Sequence, residues 1–89
     1  MVRKRTRIDI IGDMLKSIMD KGGCIKPTHL MYKSNLSHQQ MKGYLEELVE
    51  KKFIRIRRAS NEAIIITDKG RSFVNKLGEI KEFEKAFGL

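Results

Sequence analysis

Pro27-Thr28-His29-Leu30-Met31-Tyr32-Lys33-Ser34, then Asn35-Leu36, then Ser37-His38-Gln39-Gln40-Met41-Lys42-Gly43-Tyr44 is the stretch that decides the fold. Its first eight residues predict a short helix, because proline restricts Lys26 to extended geometry and suits the first helical position. Asn35-Leu36 predicts a turn. Ser37 is a good N-cap residue and starts a longer helix reaching about Lys52. Met41, Tyr44, Leu45, Leu48 and Val49 share one face of that helix and are expected in the core. Gln39, Gly43, Glu46 and Glu50 lie opposite, with Gln40 and Lys42 on the flanks.

Upstream, Ile8, Ile11, Leu15 and Ile18 recur at helical spacing and predict a helix over residues 6–21. Thr6, three residues before Asp9, marks its start, and Gly22-Gly23 its end. Cys24-Ile25 reads as a very short strand. Downstream, Phe53 to Arg58 and Ala63 to Thr67 are β-branched runs joined by Ala59-Ser60-Asn61-Glu62. Ile54 and Ile56 share one face with Ile64 and Ile66 of the return strand, and Arg55 and Arg57 point the other way. A last helix, capped by Thr67 or Asp68, continues to about Phe87 without a proline. The order helix, turn, helix, hairpin, helix predicts an α+β, mainly α fold: a winged helix-turn-helix, with a three-helix core, a β-hairpin wing and a long C-terminal helix. The expected division is a basic arm over residues 1–5, the winged domain over 6–67 and a dimerisation helix over 68–89.

With 89 residues, 40% of them hydrophobic, the chain can build one modest core. Net charge is +8, and its placement is uneven. Residues 1–58 hold 14 Lys/Arg against 6 Asp/Glu, whereas residues 59–89 hold 5 against 5. A one-sided basic footprint favours a polyanionic partner, nucleic acid before an acidic membrane. The single cysteine, Cys24, cannot close an intrachain disulfide, which fits a reducing cytoplasm. The longest apolar run, Ala63 to Ile66, is too short to span a bilayer, and no apolar segment of a signal peptide follows Arg3-Lys4-Arg5. The expectation is a cytoplasmic, nucleoid-associated protein without a membrane partner.

Thr28-x-Leu30-Met31-Tyr32-Lys33-Ser34-Asn35-Leu36-Ser37, then Tyr44-Leu45-x-x-Leu48-x-x-Lys51-x-Phe53-Ile54, then Thr67-x-Lys69-Gly70, resembles small archaeal winged-helix DNA-binding proteins. The resemblance spans about residues 6–87. It implies DNA binding, and for the chromatin-associated members it implies antiparallel dimerisation through the long C-terminal helix. Gly43 departs from the pattern, where a longer and often basic residue is expected, so base contacts are not carried over at mid-helix.

Several residues are candidates for double-stranded DNA. Gln39 and Gln40 open the recognition helix, and a glutamine can make a bidentate pair with adenine. Ser37 is expected to cap, with a phosphate contact as a second role, and His38 to pack toward the core flank. Lys42 flanks the helix. Gly43 admits two accounts: it lets a base edge or phosphate approach closely, or it is a tolerated surface glycine. Tyr32 could bond a phosphate, and Tyr44 is read as a core or rim residue. Arg55, Arg57 and Arg58 are expected on the DNA backbone from a wing over residues 55–62. Arg3, Lys4, Arg5 and Arg7 form a head that is either a minor-groove arm or a solubilising tail.

Phe73, Leu77, Ile80, Phe83 and Phe87 continue an apolar stripe beyond what a small domain needs, and predict a homodimer. Cys24, His29 and His38 lack the paired spacing of a zinc site, so no metal or other cofactor is expected. No phosphate-cradling glycine loop or nucleophile–base pattern points to an enzyme. The reading is a DNA-binding transcription regulator. Two alternatives are an architectural chromatin protein of low specificity and a protein-interaction winged helix without nucleic acid.

Overall fold

The computed structural model describes residues 5–89. Its elements are α1 (Arg7–Asp20), β1 (Cys24–Ile25), α2 (Pro27–Ser34), α3 (His38–Glu50), β2 (Ile54–Arg57), β3 (Ala63–Ile66) and α4 (Asp68–Ala86). The three strands form an antiparallel sheet in the order β1-β3-β2. This is the winged helix read from the sequence.

Local chemistry fixes the helix ends. Thr6 Oγ1 accepts the Asp9 N–H at 3.1 Å and Asp9 Oδ2 accepts the Thr6 N–H at 3.0 Å, a reciprocal cap that opens α1. The buried face of α1 carries Ile11, Met14, Leu15 and Ile18. Ile8 was expected on that stripe but is 44% exposed. It falls at the rim, beside Arg7, Glu47, Phe53 and Phe73, where the helix runs past the core. Met14 fills the interior instead and is completely buried.

At the turn between α2 and α3, Asn35 adopts the left-handed conformation (φ 54°), and the Leu36 N–H donates to Met31 O at 3.1 Å. Asparagine tolerates that geometry better than most residues. The end of α3 uses the same device with a less suited residue. Lys52 has φ 64°, and the Phe53 N–H donates back to Leu48 O at 2.9 Å.

Thr67, Lys69 and Gly70 lock α4 onto that α3 terminus. Thr67 Oγ1 donates toward Lys52 O (2.7 Å) and Phe53 O (3.0 Å), and accepts the Gly70 N–H at 3.1 Å. Lys69 Nζ donates to Lys51 O at 2.8 Å and lies 4.9 Å from the centre of the Phe53 ring. Its charge there offsets the negative end of the α3 dipole.

In the hairpin, Ile54 faces Ile66 and Ile56 faces Ile64, while Arg55 pairs with Ile65 and Arg57 with Ala63. Ile54, Ile64 and Ile66 are buried in the same core as Leu30, Met41 and Leu48. Val49, expected among them, is 39% exposed. Its position turns it toward the space between α3 and β2.

Candidate nucleic-acid interface

The exposed face of α3 carries Gln39, Gly43, Glu46 and Glu50, as its periodicity predicts. Ser37 Oγ accepts the Gln40 N–H at 3.2 Å, and Gln40 Oε1 accepts the Ser37 N–H at 3.0 Å. Gln40 is therefore held in a capping box. A bidentate contact from Gln40 to a base would compete with that bond for the orientation of the amide, which makes Gln39 the less constrained amide at the helix start. The signal was legible: serine followed three residues later by glutamine is the capping-box pattern. His38 is exposed, not packed on the core, because the first position of the helix stands outside the part that β2 and α2 cover. It borders two depressions that also touch Pro27 and Glu62.

Between α3 and the hairpin runs an open groove. Met41, Leu45, Val49 and Ile56 line it, Lys42 and Glu46 rim it from the helix, and Arg58 and Glu62 rim it from the hairpin. The hairpin arginines separate in space. Arg58 faces α3 across this groove, whereas Arg55 lies at the hairpin base in a depression shared with Lys52, Asp68 and Lys69. Arg57 Nε donates to Asn61 O at 3.3 Å and braces the tip. All three are exposed, and among the described residues none has a carboxylate partner.

The basic head is different. Arg3 and Lys4 lie outside the described residues. Arg5 donates to Ser34 O at 2.8 Å and to Asp13 Oδ2 at 2.9 Å, tying the chain start to the C-terminus of α2 and to α1. Arg7 forms an ion pair with Glu47 on α3, a carboxylate that Lys51 Nζ also approaches at 3.5 Å. Arg5 and Arg7 thus hold intramolecular partners where a free DNA-facing arm was one expectation. Sequence spacing could not reveal this, because the partners are 8 to 40 residues away and meet only in the fold.

Tyr32 is 75% exposed on α2, and Tyr44 is half-buried against the core. The His29 imidazole is held below its ordinary pKa of 6.5 by partial loss of solvent and then by the charges of Lys21 and Lys33. Among the described residues no three His, Cys, Asp or Glu side chains gather as a metal site, and no helix is long and apolar enough to cross a membrane.

A family model described as winged helix-turn-helix matches residues 4–85. The chain belongs to the winged helix-turn-helix family. Among solved structures it is similar to Sso10a-2, a DNA-binding protein from Sulfolobus solfataricus, with 19% identity and a TM-score of 0.79 over 93% of this chain and 85% of that one. It is also similar to F93 from STIV, a winged-helix DNA-binding protein, with 21% identity and a TM-score of 0.76 over 93% of this chain and 95% of that one. A third is the MarR family transcriptional regulator SPO1453 from Silicibacter pomeroyi DSS-3, at 15% identity and a TM-score of 0.73, covering 90% of this chain and 57% of that one. No curated protein matches. At such identities the likeness establishes the fold. Within it, α3 occupies the recognition-helix position and the β2–β3 hairpin is the wing.

The apolar stripe of α4 divides. Phe73 stacks obliquely on Phe53, with ring centres 5.2 Å apart, and Leu77 packs on α1 so closely that a methyl at Gly12 would sit 2.6 Å from its Cδ2. Ile80, Phe83 and Phe87 remain 55%, 60% and 68% exposed. Phe73 and Leu77 belong to the domain's own packing, and the uncovered surface begins one turn later.

Proposed function

We propose that this protein binds double-stranded DNA, with α3 in the major groove and the wing on the backbone, and acts as a transcription regulator on the nucleoid. The observation that carries the reading is the set of three exposed wing arginines that have no carboxylate partner among the described residues, beside an open α3 face. Cations without a carboxylate partner can turn toward phosphates without first breaking an ion pair, and a helix with an uncovered polar face can enter a groove about 12 Å wide. Lys42 and Arg58, facing each other across the α3–wing groove, are placed to flank one phosphate strand. Tyr32, exposed on α2, adds a hydroxyl, and Arg3 and Lys4, which lie outside the described residues, are proposed as further phosphate contacts.

A second reading, an architectural protein of low specificity, draws support from Gln40, whose place in the cap leaves few side chains free to read bases.

The protein is further proposed to be a homodimer through the end of α4. Exposed Ile80, Phe83 and Phe87 form a patch of the kind soluble monomers avoid, and an antiparallel pairing with a second copy would cover it by two-fold symmetry. Titration of a fluorescent random-sequence duplex at low salt tests the central reading: saturable binding is expected, and no binding would refute it.

A further inference from the structure

We propose that Glu46 is the sequence discriminator of the recognition helix: its carboxylate accepts a hydrogen bond from a cytosine N4 amino group in the major groove and disfavours any other base at that position. The inference rests on the DNA-binding reading above.

Gln39, Gly43 and Glu46 fall within an arc of about 60° on α3, given 3.6 residues per turn. All three are exposed. Their neighbour Glu47 is neutralised by Arg7 and Lys51, but Glu46 has no ion-pair partner among the described residues. Lys42 stands one turn before it, in the lysine-first order that pairs less well on a helix, and the two instead rim the groove toward the wing. A bare carboxylate on the side of the helix that meets DNA opposes every phosphate it approaches. That opposition is offset only where a base presents a donor, because an ionised carboxylate can accept but never donate. In the major groove guanine O6 and N7 and thymine O4 are acceptors, and the donors are the amino groups of adenine N6 and cytosine N4. Adenine sets its N7 acceptor beside N6, which repels a carboxylate, so cytosine N4 is the donor that Glu matches.

Gly43 gives the carboxylate access. A Cβ there would meet nothing within 4 Å, so internal packing does not require glycine. Its effect is a side-chain-free stretch of helix between Gln39 and Glu46, where base edges can come close. Seven residues along a helix span about 10.5 Å, roughly three base-pair steps. Gln39 and Glu46 therefore suit an adenine and a cytosine about three steps apart.

The test is selection from a random duplex pool by the wild type, Glu46→Gln and Glu50→Gln, followed by titration on the selected and random duplexes. Both substitutions alter exposed side chains only. The wild type is expected to select cytosine at one fixed position. Glu46→Gln should lose that preference and bind random duplex more tightly, so that discrimination falls by about tenfold. Glu50→Gln, one turn further on, should raise affinity for all duplexes without changing the selected sequence. A cytosine preference kept by Glu46→Gln, or duplex binding with no preference at all, would overturn the proposal while leaving DNA binding intact. Absence of wild-type binding to any duplex would instead overturn the DNA reading itself, and this with it.

Discussion

Gly70 lies so close to the carbonyl oxygen of Phe53 that a Cβ at position 70 would overlap it, leaving no room for a side chain between α4 and the end of α3. A Cβ at position 70 would also press on Ile66 Cγ1, 2.7 Å away. Gly70→Ala is therefore expected to destabilise by about 1–3 kcal/mol through overpacking, although alanine is the better helix former. Gly43→Ala is the internal comparison. With open space around it, it should stabilise by about 1 kcal/mol. Urea melts of both variants check the pair; equal and opposite signs are not required, but opposite signs are.

Ser37 and Gln40 act on stability before they act on DNA. Ser37→Ala should cost about 0.5–2 kcal/mol through loss of the cap. Gln40→Ala should lower stability while leaving sequence preference nearly unchanged, because its Oε1 is already engaged. Gln39→Ala should do the reverse, with about 1–3 kcal/mol lost on the preferred sequence and little change in thermal midpoint. Measured side by side, a larger change in preference for Gln40→Ala than for Gln39→Ala would show that the capping box opens on binding.

The dimer surface lies late on α4. Light scattering is expected to report twice the chain mass at micromolar concentration, and Ile80→Asp with Phe83→Asp should reduce it to a single chain that stays folded. Leu77→Asp is a different experiment: it breaks packing on Gly12 and should unfold the domain as well. A wild-type monomer at these concentrations would rule out the α4 interface.

His29 gives a pH signature. Its folded pKa lies below 6.5, so the unfolded chain takes up the proton first as pH falls. Its favourable contribution is present above pH 6.5 and is lost as pH drops through the folded pKa. An NMR titration of the imidazole should place its midpoint below 6.5, and a midpoint above that value would contradict the burial and the Lys21 and Lys33 fields.

The elements were legible because each carries a local signal. Thr6 and Ser37 announce helix starts, Pro27 fixes α2, and the alternation of Ile54, Arg55, Ile56 and Arg57 declares a half-buried strand. The Ser37–Gln40 pattern was equally local, and it decides that Gln40 caps. What sequence could not show are the contacts between distant segments. Arg7 meets Glu47, Arg5 meets Ser34, and Leu77 meets Gly12 only because α1 is sandwiched by neighbours far along the chain. Ile8 and Val49 look like core residues by spacing, yet Ile8 falls where α1 overruns the interior and Val49 faces the groove between α3 and β2. Charge counting alone overstates the free basic surface, since it cannot tell the ion-paired Arg5 and Arg7 from Arg55 and Arg58, which have no carboxylate partner among the described residues.

The salt dependence of duplex affinity tests the account most directly. With about five phosphates neutralised per protomer, log K against log salt should fall with a slope near −4.5, and replacing Arg55, Arg57 and Arg58 by alanine should flatten it by about 1 per lost contact while weakening all sequences alike. A slope near zero, or a triple variant that binds as tightly and as steeply as the wild type, would mean that the wing does not face DNA.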